Sequence, residues 1–149
     1  DIDREQATLV IPGDRYKTGK PHVVPLVPAA MDILDRLPAL GGTLLLTTTC
    51  DKPISGFSKM VARLIKHSGV AAFSLHDLRR TVRTGLARLG VEHSIAERVL
   101  GHAQQGVGRH YDHHAYAAQT RHALEVWAKH VRGLHDGDTA ENVVALARR

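Results

Sequence analysis

The chain has 149 residues, an apolar share of 43% and a net charge of +5, which suits one globular domain and excludes a disordered or fibrous chain. Cys50 is the lone cysteine, so no internal disulfide is possible and a reducing compartment is the natural setting. No charged-then-apolar leader opens the sequence and no apolar run approaches ~18 residues, so neither secretion nor membrane spanning is expected, and a cytoplasmic location is.

The charge is unevenly distributed. Residues 53–111 carry nine Lys/Arg against three acidic residues, a local net of +6, while the segments on either side are close to neutral. A basic middle of this kind points to a polyanionic partner, with a plain solvated basic surface as the alternative.

From the start, Thr8–Pro12 (TLVIP) and His22–Leu26 (HVVPL) are β-rich runs separated by GDRYKTGKP, whose Gly and Pro residues mark a turn. The pattern predicts a hairpin with Lys17 and Lys20 in its turn. Pro28 to Leu37 reads as a structural helix with proline near its start and Met31, Ile33, Leu34 and Leu37 apolar. Gly41-Gly42 breaks the chain, and Thr43–Thr47 (TLLLT) reads as a short buried strand or extended run.

Phe57 to His67 has the cleanest amphipathic pattern. Phe57, Met60, Val61, Leu64 and Ile65 gather on one face and Lys59, Arg63 and Lys66 on the other. The basic face suits contact with phosphates, without base reading, with a plain solvated face as the alternative.

Ser74 to Leu89 predicts a helix begun by the S-x-x-D capping pattern of Ser74 and Asp77 and ended by Gly90. At about 100° per residue, Leu75, Leu78, Val82, Leu86 and Leu89 form a stripe expected to be buried. His76, Arg79 and Arg83 line its polar flank, and Arg80 points further out. A shorter helix follows, with Ser94 and Glu97 as a second capping pair, and Gly101 ends it just before His102. Nine residues further on, past Gly106 and Gly108, stands Tyr111.

HDLRRT, then LGH, then a tyrosine nine residues on resemble, in order and spacing, the C-terminal catalytic motifs of the tyrosine recombinase (phage integrase) family. YKTGK is similar to the pattern that carries that family's hairpin lysine. The resemblance implies a mainly α fold with a small antiparallel β-sheet (α+β), covering roughly residues 1–131. It implies Tyr111 as nucleophile, with Arg79, His76, His102 and Lys17 around the scissile phosphate, and Lys20 as the weaker lysine candidate. His76, Arg79 and His102 should then converge in one basic concavity. Lys59, Arg63, Lys66, Arg80 and Arg83 are the expected DNA-backbone contacts. The reaction implied is transesterification through a 3′-phosphotyrosyl intermediate, without metal, cofactor or ATP. The partners implied are double-stranded DNA and further copies of the protein in a tetramer.

One departure from the family pattern stands out. The family uses two arginines, the first upstream of the hairpin lysine, and the 149 residues hold no counterpart of it or of the family's N-terminal core-binding domain. Residues 1–132 are therefore expected to be a partial catalytic domain with little activity alone.

After Tyr111, a helix from about Ala115 to Val131 is expected, with Tyr116, Ala123, Leu124, Trp127 and Val131 as its core stripe. Trp127 is read as a packing residue. Residues 133–149 read as a linker and tail, Gly133–Asp138 (GLHDGD) being polar and Thr139–Arg149 forming a short helix that needs a partner surface. Two other functions fit parts of the sequence. A non-catalytic DNA-binding fragment would share the fold. A histidine-rich metal-dependent nuclease would use the His110, His113 and His114 cluster, which lacks an accompanying carboxylate at a recognised spacing.

Overall fold

The computed structural model describes residues 1–17, 19–102 and 116–137. Three strands come first: β1 (Ile2–Asp3), β2 (Thr8–Ile11) and β3 (His22–Pro25). They form one antiparallel sheet in the order β1-β2-β3, with Leu9 opposite Val24 and Ile11 opposite His22. The two longer strands match the hairpin expected from their β-branched residues. Strand β1 has two residues, too few to show an alternating pattern.

Among the described residues five helices follow: α1 (Pro28–Asp35), α2 (Phe57–Ser68), α3 (Leu75–Arg88), α4 (His93–Val99) and α5 (Ala117–Asp136). The fold is thus mainly helical with a small sheet. Helix α1 begins with Pro28, where the missing N–H leaves no bond unmade. Helix α3 starts with the expected capping box. Asp77 N–H donates to Ser74 Oγ, and the Asp77 carboxylate accepts from Ser74 N–H at 3.0 Å.

The core lies among α3, α4 and α5. Leu86, Ile95, Ala96 and Ala123 are buried together, and Val82, Val91, Val99 and Trp127 pack against them. Helix α5 also fastens the sheet. Arg121 donates to the carbonyls of Leu26, Gln6 and Ala7 at 3.2–3.3 Å. One guanidinium thereby joins the β1–β2 connection to the end of β3.

Several expectations from periodicity fail, each for a tertiary reason. Residues 43–47 form no strand. Thr47 makes one isolated bridge with Pro53 and Leu46 is exposed, because the segment folds on itself and adds to no sheet edge. The α3 stripe is buried only toward its C-terminal end, where α4 and α5 pack; Leu75 and Leu78 are 45% and 49% exposed. On α2, Val61 is buried but Phe57, Met60 and Leu64 are exposed.

Ser94 and Glu97 do not cap α4. Its N-cap is Glu92, and Ser94 Oγ donates to the Glu92 carboxylate at 2.6 Å. Gly133 to Asp136 continue α5 where a linker was expected, since the helix ends only at Gly137. Tyr116 and Val131 are exposed rather than in the core. Tyr116 lies before the first turn of α5, under the Arg98 guanidinium, which sits 3.8 Å from its ring centroid. Tyr111, His110, His113, His114 and the tail 139–149 lie outside the described residues.

Candidate active site

A cleft of about 530 Å³ opens where the hairpin meets α3 and the end of α4. Lys17, His76, Arg79 and His102 all line it, on walls formed by Ile11, Val24, Val99 and Leu100. They come from three separate parts of the chain. Lys17 follows the 3-10 turn Gly13–Arg15 in the hairpin connection. His76 and Arg79 are three apart on α3 and so share a face. His102 stands just beyond the C-cap of α4.

The chain turns sharply at Gly101, and this turn is the keystone of the cleft. Its φ of +63° is one that residues with side chains rarely adopt, and a Cβ there would lie 2.2 Å from the Tyr16 hydroxyl oxygen. That close approach is a bond: Tyr16 O–H donates to the Gly101 carbonyl at 2.7 Å. The Tyr16 ring is stacked on His22, with centroids 4.9 Å apart and planes 9° from parallel. The lysine-bearing connection is thereby tied both to its own sheet and to the turn that carries His102. Arg79 completes the arrangement by donating from Nη2 to the Leu100 carbonyl. A guanidinium has five N–H donors in a fixed fork, so this bond aims the group while others remain to meet an anion.

Glu97 lies behind His102. One carboxylate oxygen accepts from Arg83 Nε and the other from His102 Nδ1, each at 2.5 Å. The His102 hydrogen bond, then that of Arg83, holds the Glu97 carboxyl below the usual range. Arg83, expected among the phosphate contacts, is half-buried and turned toward this carboxylate. Arg80 is exposed and 3.6 Å from Asp77, a surface pair of small energetic weight. Lys59, Arg63 and Lys66 are exposed on α2.

Sequence reading missed Glu97, Tyr16, His22 and Gly101 as site-building residues. By its local pattern Glu97 reads as a helix cap, Tyr16 as turn, His22 as strand and Gly101 as a helix end. Only for Glu97 does the sequence hold a usable signal: a carboxylate about one helical turn before a histidine that follows the helix.

Cations and N–H donors converging on an open cleft, with the nearby carboxylate already paired, suit a bound oxyanion such as a phosphate diester. Among the described residues no group of three or more His, Cys, Asp or Glu is arranged to hold a metal ion. No helix described is long and apolar enough to cross a membrane.

The sequence model of the phage integrase family matches residues 1–118. Prophage integrase IntA of Escherichia coli (strain K12) is 29% identical over 141 residues, covering 92% of this chain and 34% of that protein. Prophage integrase IntZ of the same strain is 27% identical over 142 residues, covering 92% and 35%. The chain therefore spans about a third of the length of these relatives. No solved structure matches it. With the family's pattern running through most of its length, this chain belongs to the phage integrase family.

Proposed function

We propose that the complete gene product is a site-specific tyrosine recombinase and that residues 1–132 form part of its catalytic domain. The observation that carries this reading is the shared cleft: Lys17, His76, Arg79 and His102 come from three separate segments and line one concavity. Its substrate is duplex DNA, which the complete protein holds as a tetramer.

In the reaction, the Tyr111 oxygen bonds to phosphorus as the bond from phosphorus to the 5′ oxygen breaks. His76 assists removal of the tyrosine proton, and Lys17 supplies one to the leaving oxygen. The products are a 3′-phosphotyrosyl link and a 5′-hydroxyl. One phosphoester replaces another, so no ATP is consumed, and attack by a second strand's hydroxyl reverses the step. Negative charge gathers on the non-bridging oxygens in the transition state. Arg79 and His102 stabilise it there as preorganised donors, so the chemistry calls for no metal.

The test is attachment of the complete gene product to a pool of randomised nicked duplexes in the presence of chelator. A denaturant-resistant complex is expected, with its phosphotyrosyl peptide mapping to Tyr111. Tyr111→Phe should abolish the complex and leave noncovalent binding nearly intact. Arg79→Ala should slow attachment by about 10²–10³-fold, the scale of losing one oxyanion donor. A phosphotyrosyl peptide at Tyr16 or Tyr116, or cleavage that stops on chelation, overturns the reading.

A further inference from the structure

We infer that Glu97 is a positioning residue for His102, its carboxylate fixing the imidazole with Nδ1–H toward α4 and Nε2 toward the cleft, while Arg83 steadies the carboxylate. The inference rests on the recombinase reading for what His102 then does, though not for the geometry itself.

The backbone around His102 is already pinned from three sides. Arg79 holds the Leu100 carbonyl, Tyr16 holds the Gly101 carbonyl, and His102 N–H donates to the Glu97 carbonyl at 2.9 Å. What these bonds leave open is rotation of the imidazole ring, a broad and roughly two-fold torsion. A ring flip would exchange Nδ1 for a carbon and remove the nitrogen from the cleft side. The Glu97 carboxylate selects against that flip, because Nδ1–H finds an acceptor at 2.5 Å in one orientation only.

Glu97 is itself restrained. Its side chain is 20% exposed, and Arg83 Nε occupies the oxygen that His102 does not. His93, at 3.9 Å, is the other charged or titratable side chain paired with it among the described residues. A carboxylate fixed in this way also chooses the tautomer: a neutral imidazole with Nδ1 protonated presents Nε2 only as an acceptor, so the donor role proposed for His102 belongs to the protonated ring, whose Nε2–H faces the cleft. Orienting carboxylates behind functional histidines act similarly in metal sites and in the Ser-His-Asp triad.

Side-chain ¹⁵N spectra of the protein decide the geometric half, with the His102 signals assigned by their loss in His102→Gln. At alkaline pH, His102 should be the Nδ1–H tautomer in the wild type and in Glu97→Gln, whose amide oxygen still accepts. It should lose that preference in Glu97→Ala. A wild-type His102 in the Nε2–H tautomer overturns the inference even if no variant folds, and so does an unchanged spectrum in Glu97→Ala.

Attachment rates of the complete gene product at saturating DNA decide the functional half. Glu97→Ala should slow attachment by roughly 10- to 100-fold, the range for losing an orienting carboxylate, with DNA affinity unchanged and Glu97→Gln in between. An unaltered rate overturns the role. Absence of any attachment by the wild type counts against the recombinase reading instead, and the spectra still judge Glu97.

Discussion

Trp127 of α5 lies so close to Gly85 of α3 that a methyl group on Gly85 would sit 2.1 Å from the indole Cζ3. The two helices meet over the buried Leu86 and Ala123 because one of them carries no side chain at this point. Gly85→Ala gains about 1 kcal/mol of intrinsic helix propensity. The clash outweighs it, because an indole against a packed core cannot swing aside as a flexible chain would. A net loss of about 1–2 kcal/mol is expected in urea unfolding. In a Trp127→Leu background the same substitution should cost nothing or stabilise, a non-additivity that marks direct contact. Equal costs in both backgrounds would show that the ring is not what limits Gly85.

Glu97 should also leave a mark on acid stability. Its folded pKa lies below its ordinary value of 4.5, chiefly through His102 and then Arg83. A depressed carboxyl contributes stability that is fully present above that ordinary value and is lost as pH falls through the folded one. Wild type should therefore exceed Glu97→Gln by about 1.5–3 kcal/mol at neutral pH, the scale of hydrogen bonds to charged groups. The difference should shrink as pH falls below 4.5. Urea midpoints of the two proteins across pH 3–7 provide the check, and a difference independent of pH would contradict it.

Lys59, Arg63 and Lys66 are exposed along α2, away from any role in the core. If that face meets the DNA backbone, replacing all three with glutamine should flatten the salt dependence of duplex binding. Each lost phosphate contact is worth roughly 0.9 in the slope of log K against log salt, so a change of about 2–3 is expected, with thermal stability retained. An unchanged slope would make α2 a solvated face.

The sequence by itself determined the hairpin and the start and stop of α3, and it supplied the catalytic candidates. These rest on local chemistry: β-branched runs around a turn, the Ser74–Asp77 box, a glycine after a helix, and motif spacing. Local signals hold because the groups that satisfy them lie within a few residues. The tertiary structure decided which apolar stripes are covered. Leu86 and Leu75 have the same pattern in sequence, yet one is fully buried and the other 45% exposed, because α4 and α5 pack on only part of α3. It also decided the surroundings of the site. Tyr16 reaches Gly101 across 85 positions and Arg83 reaches Glu97 across 14. No periodicity encodes such pairs, since they exist only once separate elements have docked and left two polar groups facing each other in partly dehydrated space.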